Sequence, residues 1–367
     1  MTLTLDCRML GSGGIGTYLQ SILPYLFKAF DCTLLLKTKD ISSYENIPGI
    51  KILECNIPTF SIKEIFNFPP ELLKKINSTD AYYSPYCNIP GGIKIPVFTT
   101  IHDVVFLDVK GLSSKIGTLA RKYFYRRAIN KSKLVFTVSK FSEERIKANL
   151  KTKKTPIVVT YNSVPEWFLK DGGLSDFATP GTQTSTTSQN TPATKEKSLL
   201  FVGNIKKHKG LHILLQAFLQ LQKRGFDGKL IIVGNADNFR TSDDSILSQI
   251  STIPNITFTG RISDDDLKSL YHKVSLLVQP SLYEGFGMPP LEALTCGTNV
   301  VLSDIPVFKE IYKDFPVTFF KQNDSEDLCD KILKTIDAPA PRNLPEIYSF
   351  KKTSAIIVDS IKNFVQK

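Results

Sequence analysis

The chain has 367 residues, 42% of them hydrophobic, with 21 glycines and 21 prolines; that length suggests two domains, and that composition excludes extended disorder, collagen and coiled-coil architectures. No apolar run approaches the roughly 20 residues that a spanning helix needs, and Met1–Asp6 lacks the basic flank and apolar block of a secretory leader, so a cytoplasmic protein is expected. The +11 formal charge lies wholly in the first half: residues 1–170 hold 24 Lys and Arg against 13 Asp and Glu, while the remainder holds 22 of each. Such asymmetry suits an anionic partner for that half, whether nucleic acid, a phospholipid surface or a phosphorylated acceptor. The six cysteines are widely spaced, with no pair at metal-ligand spacing, and read as free thiols.

In chain order, residues 1–6 alternate, Gly11-Ser12-Gly13-Gly14-Ile15-Gly16 follows, and an apolar periodicity runs from Tyr18 to Phe30: strand, glycine-rich turn, helix. Apolar runs at Cys32–Leu36, Ile95–Ile101, Leu134–Val138 and Ile157–Val159 predict strands, with helices at Ser113–Asn130 and Ser142–Leu150. This alternation predicts a parallel sheet covered on both faces, in a first domain of residues 1–170. Residues 171–197 are rich in Thr and Ser and cannot build a core, which predicts a mobile linker or surface loop. A second series occupies 198–367. Its predicted strands are 199–202, 230–233, 256–259, 276–279 and 299–302, and its predicted helices 211–223, 264–273 and 290–296. The last helix is a candidate to cross back to the first domain. In such paired doubly wound units a ligand is expected at the carboxyl ends of the strands, in a cleft that the units face across.

The sharpest constellation is Gln279-Pro-Ser-Leu-Tyr-Glu284-Gly-Phe-Gly-Met-Pro-Pro-Leu-Glu292. A buried strand ends near Gln279, two glycines follow, and Pro289-Pro290 suits a helix start. The N–H groups of Gly285, Phe286, Gly287 and Met288, with the helix dipole, are expected to form an anion cradle. Carboxylates on either side of it cannot bind phosphate; they suit hydroxyls flanking a phosphate, as on the two sugars of a nucleotide-sugar.

Glu284 and Glu292, with Gly-Phe-Gly between them, resemble the E-x7-E motif of the family 4 retaining glycosyltransferases, whose fold is GT-B. Four further stretches agree in order: Gly13-Gly14-Ile15-Gly16, Thr100-Ile101-His102-Asp103, Phe136-Thr137-Val138-Ser139, and Phe201-Val202-Gly203-Asn204 leading to Lys209-Gly210. The resemblance implies that Lys209 contacts the donor diphosphate and that Glu284 contacts hydroxyls of the transferred sugar. It gives Glu292 the ribose hydroxyls, and His102 a place facing the reactive sugar. Gly14 and Gly203 would close on the phosphates, and Ile262, after Gly260-Arg261, would contact the base. Relatives place an arginine after the glycine where this chain has Asn204, so the second charge of the clamp falls to Lys206 or His208. The implied reaction moves a hexose from a nucleoside diphosphate to a hydroxyl with retention, and protein cations make a divalent metal unnecessary. The wording around Glu284 resembles mannosyl- and rhamnosyltransferases of bacterial surface-polysaccharide synthesis, with a lipid-linked or oligosaccharide acceptor.

Residues 115–154 contain thirteen cationic residues and only Glu143 and Glu144 as acids. Arg121, Lys122, Tyr123, Arg126 and Arg127 mix cations with an aromatic at helical spacing, which suits docking on an anionic membrane surface at the inner face of the cell membrane. A nucleotide-sugar 2-epimerase of the same fold is the alternative enzyme. A nucleic-acid partner is disfavoured, since no zinc finger, RNP-type or helix-turn-helix pattern is present.

Overall fold

The structure is a computed structural model that describes residues 1–152, 154–169, 196–234, 250–345 and 348–366. Residues 171–195 of the expected linker lie outside the described residues; the first strand of the second series begins at Glu196. The chain divides into two compact units, Met1–Pro165 with Tyr348–Lys367, and Glu166–Ile347.

The first unit holds seven parallel strands: β1 (Thr2–Asp6), β2 (Asp31–Leu36), β3 (Lys51–Glu54), β4 (Ala81–Ser84), β5 (Val97–Thr100), β6 (Ser132–Thr137) and β7 (Ile157–Val159), in the order β3-β2-β1-β4-β5-β6-β7. The order reverses between β1 and β4, which makes their carboxyl ends the topological switch point. Near-continuous apolar runs such as Leu34–Leu36 are fully buried, as a parallel sheet covered on both faces requires. The first helix begins at Gly13, five residues earlier than the periodicity suggested, and runs Gly13–Ala29. Its start is feasible because Gly13 holds φ +55 and because Gly16 lies against the preceding turn, where a Cβ would sit 2.9 Å from the Gly11 nitrogen. Gly13, Gly14 and Gly16 thus form the first helical turn, while Gly11 stays in the connection before it.

The last helix, Phe350–Val365, belongs to this unit and not to the second series. Ser349 caps it by accepting from the Lys352 N–H at 3.1 Å. Thr353 Oγ1 donates to the carbonyls of Thr160 and Tyr161, each at 2.9 Å. Its buried Ile357 and Ile361 face the unit, and the helix packs beside Gly13–Ala29.

The second unit holds six parallel strands: β8 (Glu196–Val202), β9 (Lys229–Val233), β10 (Ile256–Gly260), β11 (Val274–Gln279), β12 (Asn299–Ser303) and β13 (Thr318–Phe320), in the order β10-β9-β8-β11-β12-β13. Its switch point lies between β8 and β11. The helix Leu211–Lys223 buries Leu211, Leu214, Leu215, Phe218 and Leu221 at helical spacing, in one cluster with Phe201, Ile232 and Val278. The helix Asp264–Lys273 has three acids in its first turn and His272 and Lys273 in its last, matching the helix dipole, and Ser263 accepts from the Asp266 N–H as its cap.

Candidate active site

In the second unit the chain leaves β8 at Gly203 and leaves β11 at Pro280, so both exits open at the switch point. The first exit runs through a short 3-10 turn, Lys207–Lys209, to Gly210. Gly210 holds φ +70, and a Cβ there would lie 1.9 Å from the Pro280 carbonyl oxygen. Only glycine permits this approach. The two exits are also tied by the backbone, since Leu282 N–H donates to the His208 carbonyl at 2.8 Å.

This docking brings Lys209 onto Glu284, 75 residues away. The Lys209 Nζ donates to both carboxylate oxygens at 2.7 Å, and Ser281 Oγ donates to Oε1 at 2.8 Å. Glu284 is 8% exposed and the lysine side chain 21%, so one edge of a largely desolvated ion pair remains open to solvent. Gly287 (φ +83) has no room for a Cβ, which would lie 2.5 Å from Phe308 Cε1. The Tyr312 hydroxyl donates to the Gly287 carbonyl. Gly285 and Phe286 are buried, while Gly287 and Met288 are half-buried. The motif loop is therefore a fixed shape.

The helix after it, Pro289–Thr295, is only seven residues long. Pro289 and Pro290 carry no N–H, and Leu291 N–H already donates to the Met288 carbonyl at 2.9 Å. The first turn of the helix therefore adds no free donor to the expected cradle, whose N–H groups, Gly285 to Met288, lie before it.

Glu292 is 8% exposed and accepts from the Tyr271 hydroxyl at 2.9 Å. Burial pushes its pKa up to about 7, against the opposing hydrogen bond from Tyr271 and with a small addition from Asp264. Burial, with Lys209 and Lys206 nearby, pushes the His208 pKa down to about 3, so the ring is neutral near pH 7 in this structure. Asn204 is exposed just after Gly203, whose N–H donates to the Val233 carbonyl at 2.9 Å. Ile262 is half-buried beyond the end of β10, two strands away from β8.

In the first unit, His102 follows β5 and is half-buried. Its Nε2 lies 2.9 Å from the Pro85 carbonyl. A carbonyl only accepts, so Nε2 carries the proton and Nδ1 is the acceptor side of the ring. Burial lowers its pKa to about 4, against the Pro85 hydrogen bond, so the ring is neutral at pH 7. Tyr18 stands edge-on to it with ring centroids 4.8 Å apart, and the Tyr18 hydroxyl lies 3.0 Å from that of Tyr83. Gly14 is exposed in the first turn of the helix that carries Tyr18.

The basic helix spans Lys115–Lys131. Tyr123 and Arg126 are exposed and Lys122 half-buried, but two of its arginines turn to the protein. Arg121 donates to Ser113 Oγ at 2.9 Å and lies 4.0 Å from the Phe106 ring centre, while Arg127 donates to the carbonyls of Ile89 and Pro90.

Tyr271, Ser281 and Tyr18 were not singled out from the sequence. Ser281, three residues before Glu284, could have been found. A tyrosine at a buried position of an amphipathic helix also signals a hydroxyl that needs a partner. Among the described residues, no group of three or more His, Cys, Asp or Glu gathers as a metal-ligand set, and no helix is long and apolar enough to cross a membrane.

Two parallel, doubly wound units have the GT-B architecture, and in one of them an ion pair and a second buried glutamate stand at the switch point. Comparison with known proteins agrees. Residues 12–166 match the family model "Glycosyltransferase Family 4" and residues 183–351 match "Glycosyl transferases group 1"; the chain belongs to the glycosyltransferases. It is similar to an uncharacterized glycosyltransferase of Methanocaldococcus jannaschii, MJ1607, with 28% identity over 75% of this chain and 72% of that protein. It is also similar to the O-antigen chain mannosyltransferase RfbU of Salmonella typhimurium, with 31% identity over 52% of this chain. That match spans only 47% of RfbU. Among solved structures, Anabaena Alr3699/HepE, crystallised with UDP and glucose, superimposes with a TM-score of 0.69 at 16% identity, over 99% of this chain and 100% of that one.

Proposed function

We propose that the chain transfers a hexose, mannose or rhamnose in preference, from a nucleoside-diphosphate sugar to a hydroxyl of a lipid-linked or oligosaccharide acceptor in bacterial surface-glycan synthesis, with retention of configuration. The observation that carries this reading is the Lys209–Glu284 pair at the β8/β11 switch point, one edge of which faces solvent. Of the three ammonium hydrogens of Lys209, two are taken by Glu284, and the third has no other partner among the described residues. It suits a diphosphate oxygen. Glu284, already holding Lys209 and Ser281, has acceptor capacity left for a sugar hydroxyl. The buried Glu292 suits the ribose hydroxyls. The O-antigen mannosyltransferase among the relatives supports the choice of sugar, and the UDP-bound neighbour supports a nucleotide donor.

In this scheme the acceptor oxygen attacks the anomeric carbon from the face that the diphosphate leaves. The bond from that carbon to the diphosphate oxygen breaks, the bond to the acceptor oxygen forms, and the acceptor proton passes to the departing diphosphate oxygen. Lys209 stabilises the charge left there, and positioning supplies the rest. The neutral His102, with Nδ1 as an acceptor, suits a substrate hydroxyl. The helix Lys115–Lys131 faces an anionic membrane in this reading.

The test is a panel of GDP-, dTDP- and UDP-sugars scored by thermal stabilisation and by release of nucleoside diphosphate. One donor class is expected to raise the melting point and to turn over, unaffected by a chelator, since protein cations meet the leaving charge. No stabilisation by any member of the panel would refute the reading.

A further inference from the structure

The six most exposed large apolar side chains of the described residues are Phe60, Ile62, Phe66, Ile116, Leu119 and Tyr123. They fall in two segments that meet, since Phe60 packs edge-on to Phe124 with ring centroids 5.4 Å apart, and Phe66 and Tyr123 line the same cavity. On the helix, Ile116, Leu119, Tyr123 and Arg127 follow one another at three- and four-residue steps and form a single stripe. An exposed apolar patch of this kind marks a binding surface.

The stripe ends at the mouth of a cavity of about 440 Å³, whose walls carry Lys94, Arg127, Lys131 and Lys133 and no acid. None of the three lysines has an acid partner among the described residues. Arg127 spends hydrogen bonds on the carbonyls of Ile89 and Pro90, which hold the guanidinium in place; Glu64 acts on it electrostatically but does not line the cavity. Gly91 belongs to the same wall; a Cβ there would lie 1.8 Å from the Ile65 carbonyl oxygen, so the backbone is pressed into a fixed shape. Lys133 lies at the start of β6 and Lys94 just before β5, at the amino ends of the strands, whereas His102 follows the carboxyl end of β5. The cavity is therefore separate from the substrate-facing edge of this unit.

We propose that this cavity is a headgroup site for a membrane lipid carrying a terminal phosphate monoester, whose hydrocarbon chain lies along Ile116, Leu119 and Tyr123. Four cations in a wall that carries no acid favour a group of high charge density. The adjoining apolar stripe accounts for a lipid rather than a free anion. The inference deepens the membrane-facing part of the function proposed above and rests on that part alone. Donor binding is read separately, through nucleotide-sugar stabilisation.

The test is sedimentation with phosphatidylcholine vesicles containing either phosphatidic acid or phosphatidylglycerol, at matched surface charge. A diffuse basic face responds only to that charge, whereas the cavity is expected to bind the monoester vesicles several-fold more tightly. The double variant Lys131→Gln with Lys133→Gln is expected to lose that preference while keeping its donor-induced rise in melting point. Leu119→Ser is expected to weaken both vesicle types. Both substitutions fall at exposed positions, so folding is not at stake as it would be for Arg127. Equal binding to the two vesicle types, a double variant that retains the preference, or full displacement by inorganic phosphate would each overturn the proposal.

Discussion

The two units share an architecture and use their switch points in opposite ways. At the β1/β4 end, Asp6, Arg8 and Glu64 are sealed in with side chains fully buried. Arg8 donates to Asp6 through Nε at 2.9 Å and through a terminal nitrogen at 2.5 Å, and to Glu64 at 2.5 Å. The Tyr82 hydroxyl donates to Asp6 at 2.6 Å, and the Phe60 N–H and the Asn88 amide donate to Glu64. At the β8/β11 end, Lys209 and Glu284 form a smaller set with one edge in solvent. A charge network satisfied from within holds structure; one left open at the same topological place is available to a ligand.

The comparison is broken most forcefully at Arg8. Arg8→Ala would leave two buried carboxylates without their cation, one of which, Glu64, is already pushed up by burial in spite of Arg8. Removing one partner of a buried pair costs about 3–5 kcal/mol. The expected outcome in chemical denaturation is a large loss of stability, carried by the first unit. Lys209→Ala is expected to fall chiefly on catalysis, with transfer reduced about 10²–10³-fold, as for loss of one preorganised charge-stabilising donor, and a smaller stability loss than Arg8→Ala, because one edge of this pair meets solvent whereas Arg8 is fully buried. Steady-state kinetics and calorimetry on both variants check this. Equal stability losses at the two positions would erase the distinction.

What could be read beforehand divides along the same physical line. Helices 211–223 and 264–273 were placed to the residue, since amphipathic spacing and flanking signals such as Ser263 are local. Strands β3, β4 and β13 escaped notice: each is four residues or shorter and carries no distinctive alternation. The helix Ser325–Thr335 was legible but not read: Asp324 caps it by accepting from Glu326 and Asp327, and Leu328, Cys329 and Ile332 follow at helical spacing. In the site, Glu284 and Glu292 were legible because their spacing is fixed within one loop and helix. Their partners were not. Lys209 meets Glu284 across 75 residues and Tyr271 meets Glu292 across 21, and such pairings are set by strand order, which no local pattern encodes.

Glu292 offers the finest way to sharpen the contrast, because an open site should titrate with its ligand while a sealed one should not. With its pKa raised from 4.5 to about 7, the folded protein keeps a proton that the unfolded chain has released. Stability attributable to this group is therefore fully present below about pH 4.5 and is lost as pH rises toward 7. A bound ribose acts in the opposite sense, since its hydroxyls donate to the carboxylate and favour the ionised form. Donor affinity should thus rise about tenfold between pH 6 and pH 8, as the ionised fraction of a group titrating near 7 grows. A nucleotide-sugar is the right probe, because both of its phosphates are esterified and neither has a second proton to lose near pH 6, unlike a terminal phosphate. Glu292→Gln keeps the shape and the Tyr271 contact but cannot ionise. It should bind more weakly at pH 8, show a flat affinity profile, and melt higher relative to the parent at pH 8 than at pH 5. A parent profile as flat as that of the variant would mean that this carboxylate does not meet the donor.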